Sequence, residues 1–131
     1  MIKKKRSKEE ETNQISMISY FKSHRPHIVD FIIHIPNGGT RKIGEAVKLK
    51  KMGVVKGISD IFIPIPSMGY SGFWIEMKST KGKLSKEQRI FMLNMRRFGY
   101  RTETCYSCED AIITIEWYLK DYLNSLPKLH S

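Results

Sequence analysis

Two short apolar segments joined by a glycine-containing turn constrain the fold more than any other feature of the sequence. Residues 61–66 and 73–78 are predicted to be neighbouring strands, because the intervening segment SMGYSG is typical of a hairpin turn. The prolines at positions 64 and 66 cannot donate a backbone hydrogen bond, so they favour an edge position or a bulge at the end of the first strand.

The second strand of this hairpin carries an E-x-K pattern. Side chains alternate along a strand, so Glu76 and Lys78 point to one face while apolar neighbours form the other. A turn centred on Gly69 would place position 60 opposite position 78. Asp60 and Glu76 would then be diagonal neighbours, about 7–8 Å apart at Cα.

Hydrophobic periodicity predicts the other elements. Helices are expected over residues 9–22, 42–52, 85–98 and 107–126, and further strands over residues 27–35 and 101–106. This order predicts one α/β domain over residues 9–126, with a mixed sheet of about four strands between helices. Residues 1–8 contain the basic run KKKRSK and are predicted to be a flexible tail, with a DNA-contacting arm or a nuclear address as alternatives.

The first predicted helix carries three acidic residues at its start. A helical wheel places Glu11 on the same side as Gln14, Ile15, Ile18 and Phe21, which makes it the acid that faces the core. The simpler alternative is that all three acids only complement the helix dipole.

The charge of the chain favours a polyanionic partner. Lys and Arg number 23 and Asp and Glu 13, which gives a net charge of +10. A small basic domain binds phosphate backbones with release of counterions, although the charge could also serve solubility or attract anionic lipid. There is no apolar run of the roughly 20 residues that span a membrane and no secretory signal, so a cytoplasmic location is expected.

Cys105 and Cys108 form a single C-x-x-C pair. A structural zinc site needs four Cys or His ligands, and the four histidines show no matching spacing. Two reduced, partly buried thiols are therefore predicted, with metal or redox chemistry as the lesser alternative.

Two acids and an amine on one hairpin indicate a metal-dependent reaction. Carboxylates as close as those of Asp60 and Glu76 repel each other, and a shared divalent cation removes that conflict. Lys78 could orient an attacking water and offset negative charge in a transition state. Taken alone, an E-x-K is usually an exposed charge pair and a G-x-x-D usually a turn.

Several short stretches resemble a known family in their order and spacing. They are HIPNGG at 34–39, Glu45-Ala46, LKKMG at 49–53, GISDI at 57–61, FWIEMK at 73–78, and GKLS at 82–85 with Gln88. Over residues 9–120 the chain resembles the VRR-NUC (virus-type replication-repair nuclease) family of the PD-(D/E)xK superfamily, in its small stand-alone phage form. This resemblance implies a restriction-endonuclease-like core.

The resemblance also implies roles for individual residues. Asp60, Glu76 and the backbone carbonyl of Met77 would be ligands of Mg²⁺ or Mn²⁺, and Lys78 would be the catalytic lysine. The family often has proline before the aspartate where this chain has Ser59, a variable position in the superfamily.

Two further residues match the family, but each of them has two possible roles. Glu11 would be the first-helix acid that assists the metal site, the dipole role being the alternative. Gln88 would line the active site, but as the last residue of Ser85-x-x-Gln88 it could also simply cap its own helix.

Basic residues around these motifs are predicted to hold DNA phosphates. They are Arg41, Lys42, Lys48, Lys50, Lys51, Lys56, Lys81 and Lys83. No helix-turn-helix or other sequence reader is visible, so structure-selective cutting is expected, and the resemblance implies branched or junction DNA and a homodimer. The alternatives are a catalytically silent DNA-binding module and a subunit of a replication or repair complex.

Overall fold

The computed structural model describes residues 6–36 and 42–125 of the chain. In chain order the elements are α1 (Lys8–His24), a 3₁₀ helix (Val29–Phe31), β1 (Ile33–His34), α2 (Ile43–Lys51), β2 (Ile61–Ile63), β3 (Phe73–Met77), α3 (Lys86–Arg97), β4 (Arg101–Cys105), α4 (Cys108–Tyr118) and α5 (Lys120–Ser125). The strands form one sheet in the order β1-β2-β3-β4. Its first two pairings are antiparallel and the third is parallel, so the predicted mixed α/β sheet is confirmed.

The hydrophobic core lies on one face of the central strand β3. Phe73, Ile75 and Met77 are fully buried there, together with Phe21 of α1 and Tyr118 of α4. Each such side chain contributes roughly 1.5–3 kcal/mol by leaving water. Helices α1 and α4 therefore cover this face.

The opposite face of β3 lies towards α3. Trp74 alternates with the core residues, and its ring stacks on Phe62 of β2 at 4.3 Å between centroids. Phe91 of α3 meets the same ring edge-on at 4.9 Å. Glu76 shares this face by alternation, so its carboxylate points to the side of the sheet where α3 begins.

The register of the hairpin differs from the prediction by two residues. Ile61 pairs with Ile75, so the next position along sets Asp60 directly opposite Glu76 rather than diagonal to it. The turn is centred between Met68 and Gly69, which both have positive φ. Three residues, 64–66, then face only two, 71–72, before pairing resumes. This is the bulge that the prolines favoured. Because the register is shifted by an even number of residues, every side chain remains on its predicted face.

The strand predicted over residues 27–35 is confirmed only at Ile33–His34, and the rest of that prediction was wrong. The segment forms a 3₁₀ helix and then the two-residue strand β1. Its buried residues are Ile28 and Ile32, four apart, whereas Phe31 and Ile33 are exposed. The alternation of apolar residues was therefore misleading, because the chain turns between the buried positions instead of extending.

Helix α1 is rotated relative to the wheel prediction. Its buried residues are Gln14, Met17 and Phe21, while Ile15 is exposed. The prediction that Glu11 faces the core was also wrong, since its side chain is exposed. The buried residues of α1 are spaced by three and four residues through Met17, as expected of the face of a helix that packs on the core.

The start of α1 also shifts the predicted boundary of the tail. Ser7 is the N-cap, its hydroxyl accepting a hydrogen bond from the backbone N–H of Glu10, and the helix begins at Lys8. Residues 6–8, which the prediction assigned to the tail, thus belong to the folded unit. The rest of the predicted tail, residues 1–5, lies outside the described residues.

The other predicted helices are confirmed with one change. Helices α2 and α3 lie within residues 42–52 and 85–98, and Ser107 caps α4 as expected. The single last helix is instead two, α4 and α5, separated at the buried Leu119. Position 126, predicted as the last apolar residue of that helix, lies outside the described residues.

Gly57 joins the loop before Asp60 to the start of α3. It is buried with φ +83°, and a Cβ added there would clash with the backbone carbonyl group of Glu87. Gly53 has a similar φ of +100° but open space around the same position.

We predict that Gly57→Ala lowers the free energy of unfolding by about 3 kcal/mol or more, because left-handed strain and a backbone clash act together. Gly53→Ala, the matched control, should lose only about 1–2 kcal/mol, because only the strain acts there. Urea denaturation of both variants measures the difference. Equal losses would mean that the contact between Gly57 and α3 is not tight.

Candidate active site

Asp60 and Glu76 are two buried acids that face each other across the hairpin. Their relative exposures are 4% and 3%. The Asp60 carboxylate is held by backbone, since its Oδ2 accepts a hydrogen bond of 2.8 Å from the N–H of Met77. The Asp60 carbonyl oxygen accepts a 2.7 Å bond from the N–H of Ile35, and His34 Nδ1 lies 3.0 Å from it. His34 thus supports the backbone of the site.

The Glu76 carboxyl is in an environment that disfavours its charge. Burial, first, and the neighbouring Asp60, second, raise the pKa of Glu76 to about 9, against the opposing influence of Lys78 and Arg6. Its Oε1 atom is buried and has no hydrogen-bond partner among the described residues. A buried acid with a free oxygen and an acidic neighbour needs a cation to ionise at neutral pH.

Lys78 and Gln88 both contact the other Glu76 oxygen. The Nζ of Lys78 lies 3.9 Å from Glu76 Oε2, and its side chain is 14% exposed. The Nε2 of Gln88 donates a 3.0 Å hydrogen bond to the same Oε2. The structure therefore brings Asp60, Glu76 and Lys78 together on one side of the hairpin, as predicted.

Gln88 combines the two roles that the sequence left open. Its Oε1 accepts a 2.8 Å bond from the N–H of Ser85, and its own N–H donates to the Ser85 hydroxyl, which forms a capping box. Its amide nitrogen is then directed at Glu76. The cap of α3 therefore orients the amide that binds the acid, and a single side chain serves both.

Glu10, an acid of α1 that the sequence did not single out, is linked to Asp60. Arg6 links them, because its Nε lies 3.9 Å from Glu10 Oε1 and 3.8 Å from Asp60 Oδ1. Glu10 also accepts a 3.0 Å bond from the Ser7 hydroxyl. The Ser7-x-x-Glu10 spacing of a capping box was the signal in the sequence that could have identified it. Glu11 is exposed and is not brought to the site.

Glu9 ties the start of α1 to the segment after β3. Its Oε2 accepts hydrogen bonds from the backbone N–H of Thr80, at 2.8 Å, and from the Thr80 hydroxyl, at 2.7 Å. These bonds lower the pKa of Glu9. The three acids of the first turn thus have different surroundings, although all of them also complement the helix dipole.

The two buried acids fit a site for one oxygen-binding divalent ion. Within residues 6–36 and 42–125, no group of three or more His, Cys, Asp or Glu side chains lies close enough to enclose a metal. Mg²⁺ is often bound by only one or two carboxylates and keeps several waters for substrate phosphate to replace. The unpartnered Oε1 of Glu76 is an available ligand of the right type.

The predicted DNA-contacting residues that the structure describes lie on exposed surface. Seven are exposed, and Arg41 lies outside the described residues; the seven are Lys42, Lys48, Lys50, Lys51, Lys56, Lys81 and Lys83. Helix α2 has no buried residue, so its lysines are free to meet a ligand. Lys81 and Lys83 follow directly after the strand that carries Glu76.

The cysteine pair is chemically quiet. Cys105 and Cys108 are both free, one buried and the other half-buried. Burial is the main cause that raises the pKa of Cys105, to about 12, so its reactive thiolate is suppressed. The prediction of two reduced, partly buried thiols is confirmed.

Comparison with known proteins adds an independent observation. The sequence model of the VRR-NUC domain matches residues 1–109. A solved structure described as a VRR_NUC domain protein is similar to this chain, with 25% sequence identity and a TM-score of 0.74, over 85% of this chain and 88% of that one. No curated protein matches the sequence. Within the described residues, no helix combines the length and apolarity needed to cross a bilayer.

We predict that Glu76→Gln stabilises the ion-free protein by about 1–2 kcal/mol, as replacement of a buried functional charge often does. Glu76 must take up a proton when it is buried beside Asp60, as its raised pKa indicates, whereas a glutamine need not and its amide oxygen can still accept the hydrogen bond from Gln88. Urea denaturation in EDTA measures the change.

Glu116→Gln is the matched control. Glu116 accepts hydrogen bonds from Tyr20 and Arg25, so loss of its charge should lower stability slightly. If Glu76→Gln also lost stability, as the control should, this would contradict the repulsion inferred for the two buried acids.

Proposed function

Because the chain belongs to the VRR-NUC domain family, a family of nucleases, we propose that it is a Mg²⁺- or Mn²⁺-dependent DNA endonuclease. The observation that carries this proposal is the pair of buried acids, Asp60 and Glu76, which face each other beside the amine of Lys78. An ordinary structural domain gains nothing from burying two repelling carboxylates, whereas a metal site requires them.

Asp60 and Glu76 would bind the ion, with the backbone carbonyl of Met77 as a further ligand. Once bound, the ion would polarise a phosphoryl oxygen and make a bound water more acidic. Gln88 holds one Glu76 oxygen, so the other would be the oxygen that binds the ion. The N–H of Met77 orients Asp60 in the same way.

Lys78 would act on the reacting groups. Its ammonium, 3.9 Å from Glu76 and largely buried, can orient the attacking water and offset the negative charge that grows on the phosphate. Attack in line with the leaving oxygen would give a 5′-phosphate and a 3′-hydroxyl.

The supporting acid of the first helix would be Glu10. The resemblance assigned this role to Glu11, but the exposed side chain of Glu11 gives that assignment no geometric support. Glu10 is held by Ser7 and Arg6, and the latter connects it to Asp60. Glu10 could accept a hydrogen bond from a water bound to the ion.

The substrate would be DNA recognised by shape. The exposed lysines of α2 and of the segment after β3 offer contacts to phosphate, which do not read sequence. Cutting of branched or junction DNA therefore fits better than cutting at a fixed sequence. A homodimer would present two sites to two strands. The same proposal includes a cytoplasmic location, where the protein has access to DNA.

The second candidate is a DNA-binding module or complex subunit without activity. The basic surface supports binding equally well under this reading. Asp60, Lys78 and Gln88 each interact with Glu76, and the presence of the complete set favours the enzyme.

We predict that Asp60→Ala and Lys78→Ala each lower cleavage roughly 10³-fold or more while leaving DNA binding within a few-fold of wild type. The assay uses labelled linear, flapped, forked and four-way junction DNA with Mg²⁺, Mn²⁺ or EDTA. Lys120→Ala is the matched lysine control, because the Lys120 ammonium lies over the ring of Trp117 and has no part in the proposed site, so this variant should cut as wild type. Cleavage by either site variant at the wild-type rate would overturn the proposal.

We also predict that the protein in solution has twice the mass of one chain. Leu93 on α3 and Phe98 at its C-cap are large apolar side chains that are more than half exposed, as expected of a surface that another copy covers. Light scattering after size-exclusion chromatography measures the mass. A monomer at micromolar concentration would remove the dimer from the proposal without affecting the assignment of the site.

A further inference from the structure

A positive side chain already lies beside the acid that would bind the ion. The Arg6 Nε is 3.8 Å from Asp60 Oδ1 and 3.9 Å from Glu10 Oε1, and the side chain is only 19% exposed. Arg6 also lowers the pKa of Glu76, so its charge acts on both buried acids. Each acid therefore has one cation in contact, Arg6 for Asp60 and Lys78 for Glu76.

The contact between Arg6 and Asp60 is electrostatic and weakly held. The buried Nε of Arg6 has no hydrogen-bond partner among the described residues. The hydrogen bond of its guanidinium runs to the Glu10 carbonyl oxygen and is long, at 3.4 Å. A guanidinium committed to a carboxylate normally makes two short parallel bonds, which are absent here.

The position of Arg6 in the chain lets it move. It precedes the N-cap Ser7, so no hydrogen bond of the α1 ladder depends on its backbone. Arg6 can leave Asp60 without unpacking Met17 or Phe21, the core residues of that helix.

We propose that Arg6 is a displaceable counter-ion of Asp60, which gives up this carboxylate to the divalent ion and transfers its own contact to a DNA phosphate. The inference rests on the proposed function, because it takes the ion site and the DNA substrate from it. Met77 holds Asp60 Oδ2 through its N–H, so Oδ1 is the oxygen left for the ion, and Arg6 competes with the ion for it. Guanidinium groups bind phosphate well, and phosphate is the anion that arrives with DNA.

The consequence is that DNA and the ion help each other to bind. Without DNA, Arg6 competes with the ion for Asp60. With DNA, a phosphate holds Arg6 away from the acid and removes that competition. The coupling is reciprocal, so the ion also strengthens DNA binding. The ion site is therefore filled mainly when DNA is bound.

Calorimetric titration with Ca²⁺ tests this without relying on activity. Ca²⁺ is an oxygen-binding ion of the same charge, and a gel checks that the DNA stays intact during the measurement. The titration is made with wild type, Arg6→Gln and Arg25→Gln, each with and without a junction DNA. Arg25 is the matched control, since it pairs with Glu116 at the other end of α1.

We expect Arg6→Gln to bind Ca²⁺ roughly tenfold tighter than wild type without DNA, a size typical of linked binding. The gain in Ca²⁺ affinity that DNA brings should be smaller in Arg6→Gln than in wild type by the same factor. Arg6→Lys, which keeps the charge, should retain most of the coupling, and Arg25→Gln all of it. A purely structural role of Arg6 would not produce this pattern.

Unchanged or weaker Ca²⁺ binding by a folded Arg6→Gln without DNA would overturn the inference. Thermal melting establishes that the variant is folded, and Arg6→Lys provides the second variant. Asp60→Asn separates this failure from that of the proposed function. If Ca²⁺ binding by wild type does not depend on Asp60, the ion site itself is wrong, whereas dependence on Asp60 with no effect of Arg6 rejects only the counter-ion.

Discussion

The repulsion between two buried carboxylates is the interaction on which the rest of this structure depends. The antiparallel register sets Asp60 opposite Glu76, and both are almost fully removed from water. In the absence of a metal ion the pair is tolerated only because Glu76 resists ionisation and because Lys78 and Arg6 supply positive charge. A protein that holds such a pair in place accepts a loss of stability, which is typical of residues kept for function.

The surrounding elements hold Asp60 and Glu76 in place. The capping box of α3 directs the Gln88 amide at Glu76, and the close contact at Gly57 holds the loop before Asp60 against the start of the same helix. The N–H of Met77 holds Asp60 from the neighbouring strand. Three separate parts of the chain are therefore tied together by short hydrogen bonds or backbone contact, so the acids remain close despite their repulsion.

Local rules of the sequence predicted the centre of the site but not its edge. Alternation in the E-x-K strand put Glu76 and Lys78 on one face, and the hairpin brought Asp60 to them even though its register was two residues off, because an even shift preserves the face. Arg6 was missed because its contact with Asp60 joins distant segments of the chain, which no local pattern encodes. The Ser7-x-x-Glu10 spacing was a local signal for Glu10, but it did not encode the link to Asp60 through Arg6. The rotation of α1 was missed for a related reason, since apolar residues occur on several sides of that helix and only packing decides which are buried.

The direct test of the account is the position of a bound ion. Crystals soaked in Mn²⁺ and measured at a wavelength where manganese scatters anomalously would locate it. We expect one anomalous peak between the carboxylates of Asp60 and Glu76, within coordination distance of both, and absent from crystals of Asp60→Asn. Crystals that take up Mn²⁺ elsewhere, or not at all, while the two acids stay paired as described, would contradict the account.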